Sequence, residues 1–233
     1  MEKNNLAEKF QFLMNTGNVI NPLPMMLCLH ASQANTAVID NALKHLPINI
    51  NHHVDEELIH MIRQGKSQEI LRLRVLEQLH GLIDQQPDFI LITCTNYIVL
   101  LEDISFECHI PVLKIDEVLF KQLDDIQEPL KIVFTNEATI QGTMGRLQRF
   151  CQKEHEIEII FIEEVFKWYL AGDLVSHNQK VLDTLLTLDA ASHTIAVAQL
   201  SLGYAAEMYN HSANKKVISP LGALEQYIAQ EIK

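Results

Sequence analysis

The feature that most constrains this chain is an alternation. Short apolar runs of strand length take turns with longer stretches whose apolar residues recur at every third or fourth position, and the rhythm is gone through twice. The first set has runs at 25–29, 48–54, 89–92 and 111–115. Between them, Val38, Ala42 and Leu46 share one helical face, and Leu71, Val75, Leu79 and Leu82 share another. A buried strand reads as a continuous apolar run and an amphipathic helix as a helical period, so each unit is a strand with its crossover helix. The second set restarts at 130–134 and has further runs at 158–162, 194–198 and 216–218. Ile140, Met144, Leu147 and Cys151 mark its first helix, and segments 165–171 and 179–188 two more. Ser219-Pro220 then supplies an N-cap and a first-turn proline for a last helix, which carries Leu221, Leu224 and Ile228 on one face.

This pattern predicts an α/β fold of two pseudo-symmetric Rossmann-like halves, each a roughly four-stranded parallel sheet flanked by helices. Residues 1–116 make the first half and 117–218 the second. Residues 1–23 stand outside the rhythm and read as an added N-terminal helix, suited to packing or to a homo-oligomer.

Composition narrows the function classes. Asp and Glu number 30 against 18 Lys and Arg, a formal charge of -12 with no basic cluster, so nucleic acid is not an expected partner. Four cysteines without CxxC spacing suit a reducing, cytoplasmic setting. The first 20 residues carry Glu2, Lys3, Glu8 and Lys9, and no run approaches the ~18 apolar residues of a membrane span, so neither secretion nor a membrane is expected. Neither a GxGxxG fingerprint nor a P-loop occurs, which leaves nucleotide cofactors without support.

In parallel α/β sheets, ligands sit beyond the carboxyl ends of the strands. That rule selects His30, Ala31 and Ser32 after the first run, and Thr93, Cys94, Thr95 and Asn96 after the third. In the second half it selects Thr135, Asn136 and Thr139, then Gln199 and Ser201. Thr135, Asn136, Thr139 and Thr143 can offer hydroxyl, amide and helix N-terminal N–H groups to a carboxylate, or simply cap a helix. Cys28 and Cys151 read as core residues. Cys108 beside His109 has no second ligand pair to complete a metal site, and no metal is expected. His52 and His53 read equally as cleft-lining or solvated, and Asp116-Glu117 as the charged first turn of a helix.

These same segments resemble the aspartate/glutamate racemase superfamily, and within it a poorly characterised branch of racemase-like proteins. The resemblance is carried by Leu29-His30-Ala31, His52-His53-Val54-Asp55-Glu56-Glu57-Leu58, Ile92-Thr93-Cys94-Thr95-Asn96 and Leu113-Lys114-Ile115-Asp116-Glu117. It continues through Phe134-Thr135-Asn136 with Thr139 and Thr143, Ala171-Gly172-Asp173, and Val197-Ala198-Gln199-Leu200-Ser201-Leu202. It implies two similar α/β halves with the active site between them, and a last helix, 219–233, that returns to the first half. It also implies chemistry with no cofactor, in which one thiol per half exchanges the α-proton of an amino acid. Cys94 matches the first thiol. The second position is Gln199, and an amide has no accessible proton-transfer pKa. The resemblance therefore implies a cofactor-independent racemase-like protein acting at the α-carbon of a small carboxylate or amino acid, with Cys94 as base or nucleophile. His30, Thr95, Asn96, Thr135, Asn136, Thr139, Gln199 and Ser201 are the expected substrate contacts. The alternatives are a non-catalytic carboxylate-binding module and a one-cysteine lyase or decarboxylase.

Overall fold

The computed structural model describes residues 22–102, 104, 106, 108–188, 192–212 and 216–232. The helix expected at 1–23 falls outside that set except for its last two residues. In chain order the elements are β1 (Met25–His30), α1 (Ala34–Leu43), β2 (Asn49–Val54), α2 (Glu57–Arg63), α3 (Gln68–Ile83), β3 (Phe89–Ile92), α4 (Thr95–Leu101), β4 (Val112–Lys114) and α5 (Ile115–Asp124). They continue with β5 (Leu130–Phe134), α6 (Ile140–Phe150), β6 (Ile157–Phe161), α7 (Val165–Leu170), α8 (Leu174–Thr187), β7 (Thr194–Val197), α9 (Gly203–Ser212) and α10 (Pro220–Glu231).

Two parallel sheets result. The first has the order β2-β1-β3-β4 and the second β6-β5-β7. The α/β architecture is thus as the alternation predicts, with one correction. The run at 216–218 is not a fourth strand of the second sheet but a single parallel bridge between Ile218 and Ala196. The reason lies in its neighbours. The side chain of Asn210 takes both backbone groups of Val217, at 2.6 and 2.9 Å, and Ser219 turns at once to cap α10 through Gly222 N–H at 3.1 Å. Only Ile218 is left to pair.

The helices follow their caps. Ser67 accepts from Ile70 N–H to open α3, and its expected stripe of Leu71, Val75, Leu79 and Leu82 is buried. Gly172, at φ +78°, makes the left-handed turn out of α7, and Asp173 then caps α8 through Ser176 N–H at 3.1 Å. That cap starts α8 five residues ahead of the expected 179. The stripe expected on the first helix is rotated: Ile39 and Leu43 are fully buried, while Val38, Ala42 and Leu46 are half-buried. Leu46 lies beyond the end of α1, so the three never shared one face.

The first sheet's core includes Cys28, Leu29, Ile90, Leu91 and Ile92, and α10 adds Ala223, Leu224 and Ile228 to it. On the second sheet, Val133 and Val197 pack under α8 and α9, while Ile132 and Phe134 pack on Phe120 and Leu147. Helix α5 serves both sheets, giving Ile115 and Val118 to the first core and Leu119, Phe120 and Leu123 to the second. Burying a side chain of this size contributes roughly 1.5–3 kcal/mol, so α5 couples the two sheets strongly. Cys28 is a core residue as expected, but Cys151 is only half-buried, because it is the residue on which α6 ends.

Candidate active site

A cavity of about 200 Å³ lies beyond the carboxyl ends of β3, β4 and β7, and the segments that follow β1 and β5 reach it through Asn35 and Thr139. Thr93 and Thr95 line it from the first sheet, and Thr139, Gln199 and Ser201 from the second. The strand-end rule found all five. The wall also includes Asn35, Asp116, Thr143, Phe166 and Tyr169. The rule missed Asn35, Phe166 and Tyr169, which sit on helices rather than strand ends. None of the described lining residues is Lys, Arg or His, so the wall offers hydroxyl and amide groups and one carboxylate.

Cys94, His30, Asn96, Thr135 and Asn136 are not on that wall. Cys94 is the N-cap residue of α4, half-buried against the first core and flanked by the two lining threonines. Burial pushes its thiol up, and the backbone N–H groups of Asn96 and Tyr97, which favour a thiolate, only partly offset this. The depressed thiol pKa of an activated cysteine is therefore not present. Asn96 is exposed on the same turn.

Gln199 explains Thr135 and Asn136. Its Oε1 accepts from Thr135 N–H at 2.8 Å, from the Thr135 hydroxyl at 3.0 Å and from Asn136 N–H at 3.3 Å. Its Nε2 donates to Thr139 Oγ1 at 3.2 Å. The donors expected to face a carboxylate thus hold the protein's own amide oxygen. A cysteine at 199 would be too short and too poor an acceptor to do this.

His30 ends β1 fully buried behind Thr93, and both of its ring nitrogens are engaged. Nδ1 lies 2.8 Å from Thr93 Oγ1, and Nε2 lies 2.8 Å from His52 Nδ1. His52 Nε2 in turn meets Asp40 Oδ1 at 2.9 Å, and Asp40 is exposed. With both rings neutral and Asp40 ionised, the Thr93 hydroxyl donates to His30 rather than to the Leu29 carbonyl 3.3 Å away, His30 donates to His52, and His52 to Asp40. The chain thus links the cavity wall to the surface through continuous hydrogen bonds. Burial, then His52, lowers the His30 pKa to about 4, so its ring is neutral near pH 7. His52 and His53 are not equivalent, since His53 points the other way, to Gln78.

Two ion pairs have buried carboxylates, one behind Cys94 and one on the cavity wall. Asp55 at the end of β2 accepts from Arg74 at 2.7 and 3.0 Å and from the Tyr97 hydroxyl. Burial opposes its charge, but these bonds outweigh it and hold the carboxyl below its usual range. On the cavity wall, Asp116 takes Arg146 in two bonds of 2.8 and 3.0 Å, and Arg146 also reaches Glu102. Burial nonetheless keeps the Asp116 carboxyl above its usual range. Asp116 does sit in the first turn of α5 as expected, but its partner was not foreseen. The available signal was that Arg146, unlike Arg149, stands next to Leu147 of the apolar stripe of α6.

This is the fold of the aspartate/glutamate racemases. The aspartate racemase of Picrophilus torridus superposes with a TM-score of 0.66 over 90% of this chain and 94% of its own, at 10% identity. The glutamate racemase of Thermus thermophilus matches at 0.61 over 91% and 81%, with 13% identity, and the allantoin racemase of Klebsiella pneumoniae at 0.60 over 90% and 87%, with 16% identity. No protein-family model and no curated protein sequence matches the chain. No helix among the described residues is long and apolar enough to cross a membrane.

Proposed function

We propose that this protein is a cofactor-independent, racemase-like member of the aspartate/glutamate racemase superfamily that works on the α-carbon of a small carboxylate or amino acid from one face only. The observation that carries this reading is the placement of Cys94. It stands between Thr93 and Thr95, both on the cavity wall, while Gln199 closes the same cavity from the opposite sheet. Cys94 as thiolate takes the α-proton and returns it, and no second acid serves the other face, because an amide cannot donate that proton. The expected outcome is exchange of the α-hydrogen with solvent and retention of configuration. The substrate carboxylate rests on the hydroxyl and amide groups of the wall, chiefly Thr95 and Ser201, since the Thr139 hydroxyl donates to the Asn136 carbonyl at 2.9 Å. The four unpaired cysteines suit a cytoplasmic setting.

The test is proton NMR in D2O with aspartate and glutamate of each hand, joined to chiral chromatography. Loss of the α-proton signal without the antipode is expected, with a rate that rises from pH 7 to 9 because the Cys94 thiol is shifted up. Cys94→Ser should abolish it. Exchange that survives this substitution, or an antipode formed as fast as deuterium enters, overturns the reading.

A further inference from the structure

A second group of chemistry-bearing side chains lies at the opposite edge of the second sheet from the cavity. Asp124 ends α5, Cys151 ends α6, and His155 lies just before β6. Their carboxylate oxygen, thiol sulfur and imidazole nitrogen all fall within 4.8 Å of one another. His155 is the telling member. Its side chain is only 5% exposed, and Nε2 is buried with no hydrogen-bond partner. Asp124 Oδ1 is 3.8 Å away, too far for a hydrogen bond. A buried ring nitrogen left unsatisfied costs about 1–3 kcal/mol, so its persistence needs a reason.

We propose that Asp124, Cys151 and His155 bind a divalent transition metal, with zinc the best match. Sulfur, nitrogen and oxygen ligands in one small group are the donor set zinc favours, and three protein ligands leave a fourth position for water at this half-exposed site. Cys151 would release its proton to solvent on binding, and the resulting thiolate and carboxylate balance the ion's two charges. The carboxylate is already oriented, because Gln152 N–H and Lys153 N–H donate to Asp124 Oδ1 at 3.0 and 3.4 Å. The Lys153 ammonium donates to the Asp124 backbone carbonyl at 3.2 Å. The spacing Cys-x3-His supplies two ligands from one short segment, and α5 supplies the third, which is why no paired-ligand motif is visible in the sequence. The bound ion would tie the ends of α5 and α6 to the start of β6.

Cys28, His30 and His52 form a comparable cluster. It is the weaker candidate, because all four ring nitrogens there already have partners and the thiol is fully buried.

The test uses the full chain, freed of metal by a chelator and titrated with Co(II) and then Zn(II). One equivalent of Co(II) should give a thiolate-to-cobalt charge-transfer band that Zn(II) displaces. Cys151→Ser should remove the band, and His155→Ala and Asp124→Asn should each weaken binding at least tenfold by calorimetry. Cys28→Ala and His52→Ala should keep it. Zinc should also raise the thermal midpoint of the wild type and not of His155→Ala. No band in folded wild-type protein, a band that survives Cys151→Ser, or one lost in His52→Ala with circular dichroism unchanged overturns the proposal.

Discussion

The side-chain oxygen of Gln199 is held by Thr135 twice over, by its backbone N–H at 2.8 Å and its hydroxyl at 3.0 Å. The strand end of the second half is thereby closed by the chain itself. A carboxylate reaching for those donors must displace an amide that already satisfies them, and this sets the first expectation.

Gln199→Ala should free Thr135 and Asn136 and improve carboxylate binding, read as a larger thermal shift with succinate or aspartate than the wild type gives. It should also lower stability by about 1–3 kcal/mol in urea denaturation, through buried donors left unpaired. Gln199→Cys should go further and yield the antipode of a substrate that the wild type only exchanges, measured by chiral chromatography. No gain in either variant means that the cradle is purely structural.

His30 sets a pH dependence with a definite sign. Its folded pKa is about 4, below the ordinary 6.5, so the unfolded chain binds the proton more tightly. The contribution is fully present above pH 6.5 and is lost as pH falls toward 4, at up to about 1.4 kcal/mol per pH unit. Carboxylates titrate in the same region, so the informative quantity is a difference. Wild type should lose more stability between pH 6.5 and 4.5 than His30→Gln does, by chemical denaturation at each pH. Equal slopes would mean that His30 is no more buried than the unfolded reference.

Arg146 should be among the costliest charged residues to remove. Arg146→Met leaves Asp116 buried without its partner and should cost about 3–5 kcal/mol, whereas adding Asp116→Asn should recover a good part of it. A urea-melt double-mutant cycle gives the coupling. A cost below about 1 kcal/mol for the single change would show that the Asp116 carboxyl is relieved by protonation or by solvent once Arg146 is gone.

The sequence by itself determined β1 to β7 and most of the long crossover helices, though not α2, α4 or α9, and the edge of the sheets where the cavity lies. The apolar run 89–92 became β3, the stripe of Leu71, Val75, Leu79 and Leu82 became the buried face of α3, and Ser219-Pro220 opened α10. The strand-end rule reached Thr95, Thr139, Gln199 and Ser201, because a parallel strand must deliver its last residues to that edge. All of this is local, since period and capping depend on neighbours within one or two turns.

Only the tertiary structure decided what those residues do to one another. Gln199 and Thr135 are 64 positions apart, and nothing in either segment says that the amide folds back onto the threonine. The sheet order β2-β1-β3-β4 sets His52 beside β1 and lets α1 bring Asp40 to it, which turns three scattered polar residues into one path. Arg146 and Asp116 meet across α5 and α6 in the same way, and Asn210 ends a strand that the apolar run 216–218 had promised. Periodicity reports which side of an element is buried, but side-chain pairing depends on register between elements, and that is fixed only when the sheets and their helices pack.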